Sequence, residues 1–140
     1  MWGAYPPHNY HKGVKMKEQF LTKNLKLSEV VCRCGCGYDG ISYDLCHMFQ
    51  KARDLFGEAI IVKSGCRCAK RNFDVGGLPT SSHLSGVALD LTCRNPTVFR
   101  LMKLAHCLTK AGFTRIGYNE AKKFIHVDID KSKKAAFFSY

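Results

Sequence analysis

Hydrophobic and polar positions change their period several times along this chain, and each change marks an element. Leu45, Phe49, Ala52 and Phe56 recur at helical spacing, with Ser42 in front as a cap and Gly57 behind as a stop, which predicts an amphipathic helix. The short apolar run at 59–62 predicts a buried strand that leads into Ser64-Gly65. A second helix is expected after Asn95 as cap and Pro96 as first helical residue. Its stripe would be Val98, Leu101, Met102, Ala105 and Leu108, closed by Gly112. Two other segments alternate with period two. Val87, Leu89 and Leu91 face one side while Ala88 and Asp90 face the other; Ile125, Val127 and Ile129 likewise oppose Phe124, His126 and Asp128. A further strand is expected near 114–117. These elements predict an α+β fold in which a small antiparallel sheet is flanked by helices. Residues 1–22, polar and broken by Pro6-Pro7 and Gly13, read as an N-terminal arm, and 23–140 as a single domain. The tail 131–140 carries Phe137, Phe138 and Tyr140 and is consistent with either a last strand or a free end.

The two alternating segments carry the candidate chemistry. As neighbouring strands they would bring Asp90, His126 and Asp128 to one face, with His83 arriving from a loop that follows Gly76-Gly77-Leu78-Pro79-Thr80. Two imidazoles and a carboxylate leave a tetrahedral Zn²⁺ one open position, where hydrolytic zinc enzymes activate water. Gly86 and the small Ala88 are expected to let backbone or substrate come close beside such a metal. His83 as a plain loop residue and His126 as a satisfied, half-buried one is the bland alternative.

Composition narrows the class. A hydrophobic content of 46% in 140 residues is enough for one buried core and argues against disorder. With 22 Lys+Arg against 11 Asp+Glu the formal charge is +11, which favours polyanionic partners without choosing among nucleic acid, anionic lipid and acidic wall polymers. The basic residues are dispersed and form no nucleic-acid signature, so no specific nucleic acid is expected. The first 20 residues contain no apolar run of the export type and no stretch is long enough to span a bilayer, so synthesis in the cytoplasm and a monomer without membrane contact are expected.

The eight cysteines leave two readings open. Cys32, Cys34 and Cys36, with Cys66 or Cys68, form either a second, structural metal site or a set of small reduced residues; Cys46, Cys93 and Cys107 are expected simply to pack.

The order Leu27-Ser28-Glu29-Val30-Val31-Cys32, Cys34-Gly35-Cys36-Gly37, Ser64-Gly65-Cys66-Arg67-Cys68, Asn72, Gly76-Gly77, Ser81-Ser82-His83-Leu84, Gly86, Ala88, Asp90, Gly117-Tyr118 and His126-Val127-Asp128 resembles the zinc D-alanyl-D-alanine carboxypeptidase/endopeptidase family, especially its short single-domain phage and bacterial members. The resemblance covers about residues 25–130. It implies the fold shared by D-Ala-D-Ala peptidases and the hedgehog signalling domain, and a peptidase that cleaves peptidoglycan stem peptides, phage lysins among them. It further implies His83, Asp90 and His126 as zinc ligands, Arg67 as a group that binds substrate carboxylate or polarises the scissile carbonyl, and Ser81 as a substrate contact. Many relatives carry an acidic general base three residues before the last histidine; here that position is Lys123, a cation. Asp128 is the first substitute and Glu120 the second, although Asp128 equally suits a partner that orients a histidine. The bond cleaved, a terminal D-Ala-D-Ala or an internal one, stays open. So do two other functions: a wall-binding or phage structural module that keeps the metal without turnover, and a basic zinc-stabilised nucleic-acid protein.

Overall fold

The computed structural model describes residues 18–140; most of the expected arm, residues 1–17, lies outside the described residues. Phe20–Thr22 (β1) and Leu25–Lys26 (β2) pair as a small hairpin. Its turn is tied to the first long helix by Gln50, whose side chain accepts from the Asn24 amide at 2.8 Å and from the Thr22 hydroxyl at 2.9 Å. The one-turn helix Leu27–Val30 (α1) follows directly.

The long helix Tyr43–Phe56 (α2) begins and ends where its capping residues predict. Ser42 accepts from the Leu45 amide, and Gly57 closes the helix at φ 76°, a left-handed conformation that glycine adopts without strain. Leu45, Phe49, Ala52 and Phe56 are all buried. Strand Ile60–Ser64 (β3), helix Ala69–Asp74 (α3), a 3-10 turn at Ser82–Ser85 and strand Ala88–Cys93 (β4) come next. Helix Val98–Lys110 (α4) and strands Arg115–Asn119 (β5), Phe124–Asp128 (β6) and Ala136–Ser139 (β7) complete the chain.

Five strands form one sheet in the order β3-β4-β6-β5-β7. All neighbours run antiparallel except β5 and β7, which are parallel. Helices α2 and α4 pack together, with α4 against β4 and β6, so one sheet face and two helices enclose the core. Leu89, Leu91, Ile125 and Val127 point into it from the two central strands. Period-two alternation then sends Asp90, His126 and Asp128 to the opposite face, as expected.

Helix α4 corrects two expectations. Its cap is Thr97, which accepts from the Arg100 amide, whereas Asn95 stands before it in a left-handed turn at φ 48°. The buried stripe is Leu101, Leu104, Ala105, Cys107 and Leu108; Val98 and Met102 are exposed. Apolar residues occupy more of this helix than the sheet can cover, so two overlapping stripes compete, and the one containing Leu104 and Leu108 faces the strands.

Of the two close approaches expected at Gly86, backbone or substrate, the fold uses the backbone. Gly86 adopts φ 71°, and a Cβ there would lie 1.9 Å from the Gly40 carbonyl oxygen. The space it provides admits the 40–42 backbone, held by the Ser42 amide donating to the Gly86 carbonyl at 2.8 Å. The tail is settled as β7, whose Phe138 ring occupies the room that Gly117 leaves by having no side chain.

The phase of α4 is testable by unfolding in denaturant. Leu104→Ala is expected to cost about 2–5 kcal/mol as a fully buried leucine. Met102→Ala, at an exposed position, should stay within roughly 0.5 kcal/mol. The reverse order would mean that the other stripe faces the sheet.

Candidate metal centre

Antiparallel register sets Asp90 of β4 directly opposite His126 of β6. His83 reaches them from the 3-10 turn, whose start Ser81 stabilises by accepting from the His83 amide at 3.3 Å. The three side chains meet at one carboxylate oxygen: His83 Nε2 lies 3.2 Å, and His126 Nδ1 3.0 Å, from Asp90 Oδ1.

The outer ring nitrogen identifies the tautomer of His83. His83 Nδ1 is 2.7 Å from the Gly65 carbonyl, which can only accept, so the proton is on Nδ1. His126 Nε2 lies 2.8 Å from Asp128 Oδ2, a carboxylate that takes its proton whenever Nδ1 is a ligand. With both rings neutral and their outer nitrogens donating, the inner nitrogens are lone pairs aimed at a carboxylate, and acceptors facing an acceptor repel unless a positive charge, a proton or a metal ion, sits among them. Ligand bonds of about 2.0–2.1 Å in a tetrahedral site put donor atoms roughly 3.3 Å apart. The observed 3.0 and 3.2 Å match that spacing, and all three donor atoms lie within 4.8 Å of one another. The donor set fits Zn²⁺.

Protonation follows the same logic. Without a metal, burial disfavours the charge on Asp90, but the close contacts with His126 and His83 outweigh it and hold the carboxyl well below the usual carboxylate range. Burial likewise opposes a charged His126, yet its bonds to Asp128 and Asp90 win and raise its pKa above the ordinary histidine value. A proton on His126 thus stabilises the same spot that a metal ion would.

A second ring of contacts holds these groups. Arg67 donates from Nη2 to Asp90 Oδ2 at 3.2 Å, from Nε to Ser64 Oγ at 3.1 Å and from Nη1 to Asn72 Oδ1 at 3.2 Å. Arg115 Nε donates to Asp128 Oδ2 at 3.0 Å while its guanidinium lies over the Phe138 ring, 4.9 Å from the centroid. Asp128 Oδ1 accepts from the Asp130 amide at 3.2 Å, so both of its oxygens are occupied, and the side chain is only 1% exposed. Arg115 was not among the sequence candidates. Its signal was present, since in 115–119 Arg115, Gly117 and Asn119 alternate with Ile116 and Tyr118 and so share the face of His126.

The centre opens into a cleft of about 590 Å³. Arg33, Lys63, Arg67, Arg71, Arg115, Lys122 and Lys133 line it, against Asp90 and Asp128 as the carboxylates; Ser81, Phe138 and Tyr140 are further walls. Glu120 is exposed in the turn after β5, outside that lining, and Lys123 is exposed in the same turn at φ 53°. Of the loop cysteines, Cys32, Cys34 and Cys36 gather with Cys68, whereas Cys66 joins the core, where burial pushes its thiol up to about 12.

A family model described as Peptidase M15 matches residues 23–128, from the hairpin turn to the end of β6, and so includes every ligand candidate and both cysteine clusters. No curated protein matches the chain. Over most of its length, and with a metal-ready trio at the heart of the matched region, the chain belongs to Peptidase M15, the family of zinc D-Ala-D-Ala carboxypeptidases.

Proposed function

We propose that this chain is a zinc peptidase that hydrolyses peptidoglycan stem peptides at the cell wall. The observation that carries the reading is the convergence of His83 Nε2, His126 Nδ1 and Asp90 Oδ1 at the floor of an open, basic cleft, with each imidazole locked by a partner on its outer nitrogen. When bound, Zn²⁺ supplies Lewis acidity toward a scissile carbonyl and lowers the pKa of a coordinated water.

The chain's own residues do the rest. The Gly65 carbonyl and Asp128 keep the two rings in the tautomers that point lone pairs inward. Arg67 holds Asp90 in place and presents guanidinium charge to the cleft, suited to a substrate carboxylate or a developing oxyanion. Ser81 caps the turn that carries His83 and borders the cleft as a substrate contact. Stem peptides are rich in carboxylates, and the basic walls would draw them in, along with anionic wall polymers, in a salt-sensitive way. We assign Asp128 as a positioning residue in preference to the general base, because His126, Arg115 and the Asp130 amide already occupy its oxygens.

One observation favours a second reading, a metal-holding wall module without turnover: neither carboxylate that lines the cleft is free to take a proton. Digestion of purified peptidoglycan, with products read by mass, separates the two. A peptidase yields new amine and carboxyl ends that vanish with chelator and return with Zn²⁺. Intact wall in the presence of bound zinc identifies the module.

Asp128→Asn tests the positioning role. If Asp128 acts through His126, zinc affinity should fall about 10–100-fold and turnover at saturating zinc should largely recover. A general base would instead lose about 10²–10⁴-fold in kcat with zinc affinity preserved.

Zinc affinity itself should weaken on acidification. Binding displaces the proton from His126, and because that pKa is raised, competition begins above the ordinary histidine value of about 6.5. Competition titrations should show roughly tenfold weaker binding per pH unit below the titration point; a flat profile would remove His126 Nδ1 from the ligand set.

A further inference from the structure

Cysteine is by default a small buried residue, and Cys46, Cys66, Cys93 and Cys107 behave that way, each within the hydrophobic core. Of the other four, Cys32 is buried outside that core and the remaining three are not buried. Cys34 and Cys36 are exposed and Cys68 is half-buried, so packing gives no reason for them. They nevertheless converge with Cys32, all four sulfurs lying within 4.8 Å of one another.

The convergence is built by the backbone. Gly35 and Gly37 both take left-handed conformations, at φ +84° and +81°, with the cysteines at alternate positions around them. The two reversals fold the loop tightly enough for Cys32, Cys34 and Cys36 to share one point. Cys68 reaches the same point from the N-cap of α3. Sulfur separations of 3.5 Å for Cys32–Cys34 and for Cys34–Cys68 decide between chemistries. A disulfide needs about 2.05 Å. Four thiolates around Zn²⁺, at about 2.3 Å each in a tetrahedron, need sulfurs roughly 3.8 Å apart.

Backbone amides point at three of the sulfurs, as an anionic cluster requires. Cys68 N donates to Cys32 Sγ at 3.4 Å, Tyr38 N to Cys36 Sγ at 3.5 Å and Arg71 N to Cys68 Sγ at 3.4 Å. Such bonds favour the thiolate over the thiol.

We propose that Cys32, Cys34, Cys36 and Cys68 form a second metal site, a closed tetrathiolate that holds Zn²⁺ structurally. With every position taken by sulfur it has no room for substrate, unlike the histidine–aspartate centre. Its place in the fold gives it a task. It staples the loop after α1 to the segment that carries Arg67, alongside the Cys66 amide donating to the Val30 carbonyl at 2.7 Å. The same segment is joined to the other centre by the Arg67 amide donating to the His83 carbonyl at 3.1 Å. The proposal does not rest on the peptidase reading, since it uses none of that centre's ligands.

The test is elemental analysis of the full chain, purified reduced and without chelator, together with thiol titration and intact mass. The wild type should hold two zinc equivalents, and His83→Ala should keep one. In His83→Ala, Cys34 and Cys36 should resist a thiol reagent until a strong chelator is added, and zinc should then leave as the thiols react. Cobalt loaded into that variant should show sulfur-to-metal charge-transfer absorption. The double variant Cys34→Ser/Cys36→Ser should lose one equivalent. Metal-free His83→Ala with freely reactive thiols, a mass deficit of two hydrogens from a disulfide, or iron in place of zinc would each overturn the assignment. Because His83→Ala leaves the cysteines untouched, the test stands even if the double variant fails to fold.

Discussion

Two imidazole lone pairs and a carboxylate oxygen facing one another within about a hydrogen bond's length make an arrangement that only a positive charge can hold together. Everything around the centre serves to keep that repulsive set in place. The Gly65 carbonyl removes the alternative tautomer of His83, Asp128 pins the His126 ring, and the register of β4 on β6 removes the alternative geometry. A slip of one residue in that register would turn Asp90 into the hydrophobic core and Leu89 or Leu91 into the cleft. The core is therefore also the device that aims these side chains. Leu89 against Val127 and Leu91 against Ile125 are the apolar pairs whose burial makes the slip expensive.

Much of this arrangement is legible in the sequence because strand alternation is strict and short-range. Val87 to Leu91 and Phe124 to Ile129 announce which side chains share a face, and a two-residue offset puts His126 with Asp128 whatever the rest of the fold does. Capping chemistry is equally local, so Ser42 and Gly57 bound α2 where expected. What the pattern leaves open is set by neighbours far away in the chain. The phase of α4 depends on how much sheet lies beneath it, and Val98 and Met102 lose that competition to Leu104 and Cys107. The tail becomes a strand because Gly117, some twenty positions earlier, leaves a hollow for Phe138. Similarly, Cys68 and not Cys66 joins the loop thiols, because Cys66 is taken into the core while Cys68 stands at the N-cap of α3 beside the loop.

Asp128 illustrates how spacing identifies a residue without identifying its work. Proximity to His126 along the strand suits a base and a positioning partner equally well. The distinction lies in Arg115, which sits on the strand on the other side of β6 and donates to the same oxygen that takes the imidazole proton. A carboxylate with both oxygens in use, and nearly sealed from solvent, is a poor acceptor for a proton arriving from the cleft.

Both buried aspartates follow one plan, and that plan accounts for two of the cations that line the cleft. Each has an imidazole on one side and a guanidinium on the other: Asp90 has His126 and Arg67, Asp128 has His126 and Arg115. Burying a carboxylate costs several kcal/mol unless charge and hydrogen bonds offset it. The guanidinium is the better offset here because it stays charged at any working pH and spans more than one acceptor, as Arg67 does across Asp90, Ser64 and Asn72. The arginines that offset these buried carboxylates thus also line the cleft. Part of the cleft's positive charge therefore comes from the residues that hold Asp90 and Asp128, so substituting either arginine disturbs both the cleft and the buried carboxylates.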